Sequence, residues 1–175
     1  MTEMVPAWIN GKLQPVEKIE VHKRALRHKA VSVFIMVGTE TLLQKRALNK
    51  YHCPGLWANA CCTHPYWDEA SETCARRRIK EELGISTTLP LLYRNQVEYR
   101  ADVGNDLTEH ELVDIFLIRV EKKSDLGLKL NQDEVMSTRW IDMDLLDQEI
   151  TSKPNTFTPW LRIYLKDHYN QILSF

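Results

Sequence analysis

A chain of 175 residues, 43% hydrophobic and 27% charged, has the balance of an ordinary globular protein and the size of one domain spanning 1–175. A formal charge of −1 gives no general electrostatic case for nucleic acid or an anionic membrane surface, so any basic site must be local. The chain start has no basic cluster leading into a long apolar stretch, and the longest apolar run, 30–37, is far too short to span a bilayer.

In chain order, residues 30–37 are rich in β-branched and large apolar side chains and predict a buried strand. Gly38, Thr39 and Glu40 turn it into 41–46, an expected antiparallel partner, and Pro54-Gly55 marks a turn before a short strand within 56–62. Ser71 is the expected cap of a helix running to about Leu83 and stopped by Gly84. Its apolar face is Ala75, Ile79 and Leu83, its ion pairs are Arg77 with Glu81 and Arg78 with Glu82, and Glu82 projects from the edge of the buried face. Further strands are expected at 96–101, 111–120 and 136–141. Thr158-Pro159 opens a C-terminal helix over about 159–173. The sum is an α/β (α+β) mixed sheet with helices packed on its faces and a core at about 28–161. Cysteines 53, 61, 62 and 74 match no common zinc spacing, and the adjacent pair is a poor disulfide, so free thiols in a reducing cytoplasm are expected.

Three clusters carry chemistry. His22, His28, His64, Glu109 and Glu111 are candidate metal ligands. The two glutamates are two apart, so in an extended segment both face one side, where like charges are costly unless a cation joins them or one takes a proton. Imidazoles with carboxylates suit zinc, manganese or iron. Next, Cys61-Cys62-Thr63-His64 offers a thiol near that set, and a cysteine close to a metal or cation can exchange protons near the working pH. Last, Glu69, Arg77, Ile79, Glu81, Glu82, Gly84 and Ile85 fall on the spacing of the Nudix box, and the chain resembles that family. It departs at Thr63, where the box has glycine, and at Arg78, where it has glutamate. Arginine there removes a metal ligand and supplies a phosphate clamp, an exchange that favours holding a diphosphate over cleaving it.

Read with Leu26–Ala30, Gln44–Leu48, Pro54–Trp57, Glu98–Arg100, Asp133–Met136 and Phe157–Trp160, the altered box is similar to the type 1 isopentenyl-diphosphate isomerases, a non-hydrolysing Nudix family, from about Glu17 to Leu161. The resemblance implies a Nudix-type fold and transposition of a carbon–carbon double bond in isopentenyl diphosphate, an isoprenoid precursor. It implies that Cys62 and Glu111 are the acid and base, in either order, with Tyr99 and Trp160 assisting. Lys18, Arg46, Lys50 and Arg78 would bind the diphosphate. The three histidines with Glu109 and Glu111 would hold zinc, manganese or magnesium, and Glu82 a second ion, magnesium bridging to substrate. No flavin motif is present. The implied partner is the small diphosphate alone, with no nucleic acid or membrane, for a cytoplasmic monomer or weak homodimer. A Nudix hydrolase of nucleotides and a non-catalytic ligand sensor are the competing readings.

Overall fold

In a computed structural model of the protein, residues 3–86 and 88–173 are described; residues 1, 2, 87, 174 and 175 of the expected 1–175 span lie outside them. The chain opens with a hairpin, β1 (Met4–Ile9) and β2 (Lys12–Glu17), for which no element was expected before residue 30. Asn10 and Gly11 both adopt positive φ, 50° and 76°, the backbone of a two-residue hairpin turn whose twist matches the strands it joins. Glu17 then caps α1 (Lys18–Lys23), its carboxylate accepting the Ile19 and Glu20 amides.

β3 (His28–Val37) is the centre of the sheet. Ala30, Phe34 and Met36 pack into one apolar cluster and Val31, Val33 and Ile35 into another. Burial on both faces is why this stretch reads as a continuous apolar run rather than an alternating one. The expected hairpin with β4 (Glu40–Arg46) pairs only at Met36–Thr41 and Val37–Glu40 before the strands diverge. β4 continues against β5 (Trp57–Asn59) and β9 (Val135–Asp142), while β3 pairs with β6 (Cys61–Thr63). The single strand expected within 56–62 is therefore two, serving different neighbours.

Beyond β6, α2 (Ser71–Leu83) ends at Leu83 as expected and buries Ala75, Ile79 and Leu83. Its cap position is Ala70, however, and the Ser71 hydroxyl donates to Asp114 instead of capping the helix. Gly84 ends the helix at φ 72°, where a Cβ would lie 2.6 Å from the Lys129 carbonyl oxygen. β7 (Leu92–Gly104) and β8 (Leu107–Arg119) form a long antiparallel pair, and β8 runs parallel to β3. After β9 come α3 (Met143–Ser152), which was not expected, α4 (Pro159–Asp167) and α5 (Tyr169–Leu173). The C-terminal helix expected over 159–173 is thus broken at His168. Pro159 occupies the first helical position as expected, but the buried Thr158 hydroxyl makes no capping bond. Helix α2 covers one face of the mixed sheet, and α4 with α5 covers the other. Among the described residues no helix is long and apolar enough to cross a membrane.

Candidate active site

Sheet register builds the site. His28 lies opposite Glu111 across β3 and β8, and Glu111 lies opposite Tyr99 across β8 and β7. Glu109, one pleat away, shares the inward face with Glu111, and both are 2% exposed. His110 between them points outward toward Glu98. On the other flank of β3, Cys62 lies opposite Ser32. His22 comes from α1, His64 from the exit of β6, Arg46 from the end of β4, Arg78 and Glu82 from α2, and Trp160 from α4.

Ligand atoms of His22, His28, His64 and Glu109 lie within 4.8 Å of one another, and all four residues are buried. His22 and His28 each use Nδ1 on a backbone carbonyl, of Lys18 at 2.6 Å and of Leu26 at 2.7 Å. A neutral ring that donates from Nδ1 presents a bare lone pair at Nε2, the orientation typical of metal-binding histidines. Both Nε2 atoms face Glu109 Oε2, at 3.2 and 3.5 Å. His64 Nε2 stands 3.2 Å from His28 Nε2 and 2.9 Å from Glu111 Oε1. Acceptors thus outnumber donors here, and His22 Nε2 and Glu109 Oε2 are buried without a hydrogen bond. That donor set fits a divalent cation.

Crowding of buried imidazoles and carboxylates also shifts their titrations. Burial works against charge on His28, but the carboxylates of Glu109 and Glu111 beside it overcome that and raise its pKa to about 10. On His64 burial prevails over Glu111 and lowers the pKa to about 3. Burial opposes ionisation of Glu109, yet the nearby imidazoles of His22, His28 and His52 hold its carboxyl well below the usual range.

Above this group a cavity is lined by Cys62, Tyr99, Glu111, Trp160, Glu82 and all four expected cations, Lys18, Arg46, Lys50 and Arg78. Tyr99 Oη donates to Glu111 Oε2 at 2.7 Å. Burial, then Glu111, pushes the Tyr99 hydroxyl well up, and burial with Glu111 and Glu109 does the same to the Cys62 thiol. Arg78 donates to Glu82 Oε1 from Nε at 3.1 Å and Nη2 at 2.7 Å, as the i, i+4 spacing predicts. Gln44 donates to the other Glu82 oxygen at 3.0 Å. Lys50 and Arg78 share Glu134 Oε2, at 2.6 and 3.4 Å, Lys18 pairs with Glu3 at 3.2 Å, and the Arg46 guanidinium lies 5.3 Å from the Trp160 ring centre.

Sequence reasoning missed Gln44, Glu134 and His52, which line the same cavity. Glu134 lies in the Asp133–Met136 segment that carries the family resemblance, but no spacing ties it to the other site residues. His52 had no periodic neighbour to mark it, since it lies in the loop between β4 and β5.

A NUDIX domain is recognised over residues 26–161. The chain is 58% identical over 174 residues to the isopentenyl-diphosphate Delta-isomerase of Cereibacter sphaeroides, covering 99% of this chain and 97% of that protein. The protein of the same name from Dinoroseobacter shibae is 55% identical with equal coverage, and that of Rhodobacter capsulatus 52% identical over 97% of this chain and 95% of its own. Among solved structures, a Deinococcus radiodurans protein matches with a TM-score of 0.74 and 13% identity over 95% of this chain and 99% of its own. The MutT NUDIX hydrolase of Burkholderia pseudomallei matches with a TM-score of 0.60 and 22% identity over 81% of this chain and 98% of its own. At those identities the structural likeness speaks to fold alone.

Proposed function

The chain belongs to the NUDIX domain family, together with its isopentenyl-diphosphate Delta-isomerase relatives, and we propose that it isomerises isopentenyl diphosphate to dimethylallyl diphosphate. The observation that carries this reading is one cavity holding a thiol, Cys62, and a buried carboxylate, Glu111, beside four cations. Moving the double bond adds a proton at the terminal alkene carbon and removes one from the carbon beyond the tertiary centre. Protons balance and no electrons are transferred, so the step needs an acid, a base and shelter for a tertiary carbocation.

Cys62 and Glu111 are assigned the two proton transfers. Burial, with Glu111 and Glu109 nearby, raises the Cys62 thiol pKa, which favours the protonated thiol in this cavity. Tyr99, bonded to Glu111, orients that carboxylate. The buried Trp160 indole contributes roughly 0.5–2 kcal/mol to stabilising a nearby cation. Arg46, Lys50, Arg78 and Lys18, all lining the cavity, hold the diphosphate. Where a hydrolase would place another helix glutamate stands the cation Arg78, which supports retention of the diphosphate over its cleavage.

His22, His28, His64, Glu109 and Glu111 would hold a divalent cation, zinc, manganese or magnesium, whose charge would offset that of the two carboxylates. Glu82 would take magnesium together with substrate phosphate, since that ion needs only one or two carboxylates from the protein. The single domain, 1–175, acts as a monomer or weak homodimer. Four free cysteines are in keeping with a reducing cytoplasm.

The test is incubation of the purified protein with isopentenyl diphosphate and magnesium, followed by chromatography of the products. Dimethylallyl diphosphate is expected, and its formation should stop after chelation. Inorganic phosphate or a monophosphate product would contradict the reading.

A further inference from the structure

The two oxygens of Glu109 face different partners. Oε2 faces the Nε2 atoms of His22 and His28, whereas Oε1 meets His52 Nε2 at 2.9 Å. His52 is 4% exposed, and its Nδ1 is buried without a hydrogen-bond partner, so the ring proton belongs on Nε2, where it donates to Glu109. The ring is held edge-on against Tyr51, with centroids 4.3 Å apart at 84°, and against Trp160, 5.8 Å apart at 87°. Its backbone carbonyl accepts Arg46 Nη2 at 3.0 Å. Cys53, which follows it, is at φ 48°, a left-handed conformation that accompanies the sharp turn of the loop here.

A carboxylate free to rotate can offer a cation either oxygen or both. A buried donor fixed on one oxygen leaves the other turned toward the imidazoles. We propose that His52 is a positioning residue that holds Glu109 with a single oxygen directed at the histidine group, and so sets that site's affinity for a divalent cation. This rests on the reading of His22, His28, His64 and Glu109 as a metal site. Its Nε2 contact is with the Glu109 oxygen on the other side from His22 and His28, which separates it from the ligands themselves. Loss of an outer partner of this kind typically weakens metal binding about 10–100-fold.

The experiment strips the purified full chain with a chelator and titrates it with cobalt(II) against a chromophoric competitor, recording the visible absorption of the bound ion. His52→Phe keeps the ring packing and removes the donor. His52→Gln keeps a donor of similar reach, and His52→Asn has one that falls short. Affinity is expected to fall about 10–100-fold in His52→Phe and His52→Asn, with an altered cobalt spectrum, and to return within about threefold of wild type in His52→Gln. Should His52→Phe fail to fold, the Gln and Asn pair decides the question. Wild-type affinity and spectrum in His52→Asn would overturn the proposal. So would equal weakening in His52→Gln and His52→Asn, because the loss would then follow the ring and not the hydrogen bond. If the wild-type protein itself bound no divalent ion, the metal-site reading would fail as a whole, and that result is distinct from the others.

Discussion

Tyr99→Phe removes one hydroxyl from a place where its loss is measurable. Tyr99 is 6% exposed and donates at 2.7 Å to Glu111 Oε2, while the other Glu111 oxygen keeps its contact with His64 at 2.9 Å. The ring retains its edge contact with Tyr164, with centroids 5.8 Å apart, so packing is preserved. A hydrogen bond to a charged group contributes about 1.5–3 kcal/mol, and each 1.36 kcal/mol of barrier is about tenfold in rate. If the bond aligns Glu111 for proton transfer, kcat should fall roughly 10–150-fold. KM should change by less than about threefold, because Tyr99 is not one of the diphosphate-binding cations. Steady-state isomerisation kinetics give both numbers, and thermal unfolding verifies that the variant is folded. A folded variant with kcat within twofold of wild type would refute the role given to Tyr99.

Cys62→Ala and Glu111→Gln should each abolish detectable turnover while circular dichroism reports an intact fold; near-wild-type rates in either would remove that residue from the mechanism. Gly84→Ala should destabilise the protein by more than about 1 kcal/mol, read as a lower denaturation midpoint, because it forces φ 72° on an L-residue and drives a Cβ to 2.6 Å from the Lys129 oxygen. The Arg77 bond holds Glu69 below the ordinary carboxylate range against a smaller opposing effect of burial. A depressed folded-state pKa contributes stability that is present above the unfolded value of about 4.3 and is lost as pH falls through the folded value. The melting-temperature deficit of Arg77→Ala should therefore be full at pH 7 and shrink below about pH 4; a deficit independent of pH would rule out the ion pair as its source.

What could be read from the chain was what depends on local spacing. Ala75, Ile79 and Leu83 at four-residue intervals, the Arg78–Glu82 pair and the Gly84 stop are properties of one helix. Glu109 and Glu111 share a face because a strand has period two. The Asn10-Gly11 turn is equally local, yet the hairpin it closes is absent from the expectations above. Other features depend on register and on competition between neighbours. Nothing within 41–46 reveals that β4 leaves β3 after two residue pairs to join β5 and β9. Ser71 has cap chemistry, but the hydroxyl finds Asp114 on β8, more than forty residues away. That Tyr99 meets Glu111 follows from the β7–β8 register, which the two segments do not show separately. His52 escaped notice for the same reason: its meaning lies in Glu109, which the fold alone brings to it.

Turnover of isopentenyl diphosphate in deuterated water, with magnesium present, can be followed by NMR while free phosphate is measured in parallel. Transposition through protonation and deprotonation predicts dimethylallyl diphosphate carrying deuterium, with no phosphate released. Phosphate or monophosphate in place of the isomer, or an unchanged substrate despite folded, metal-loaded protein, would contradict it.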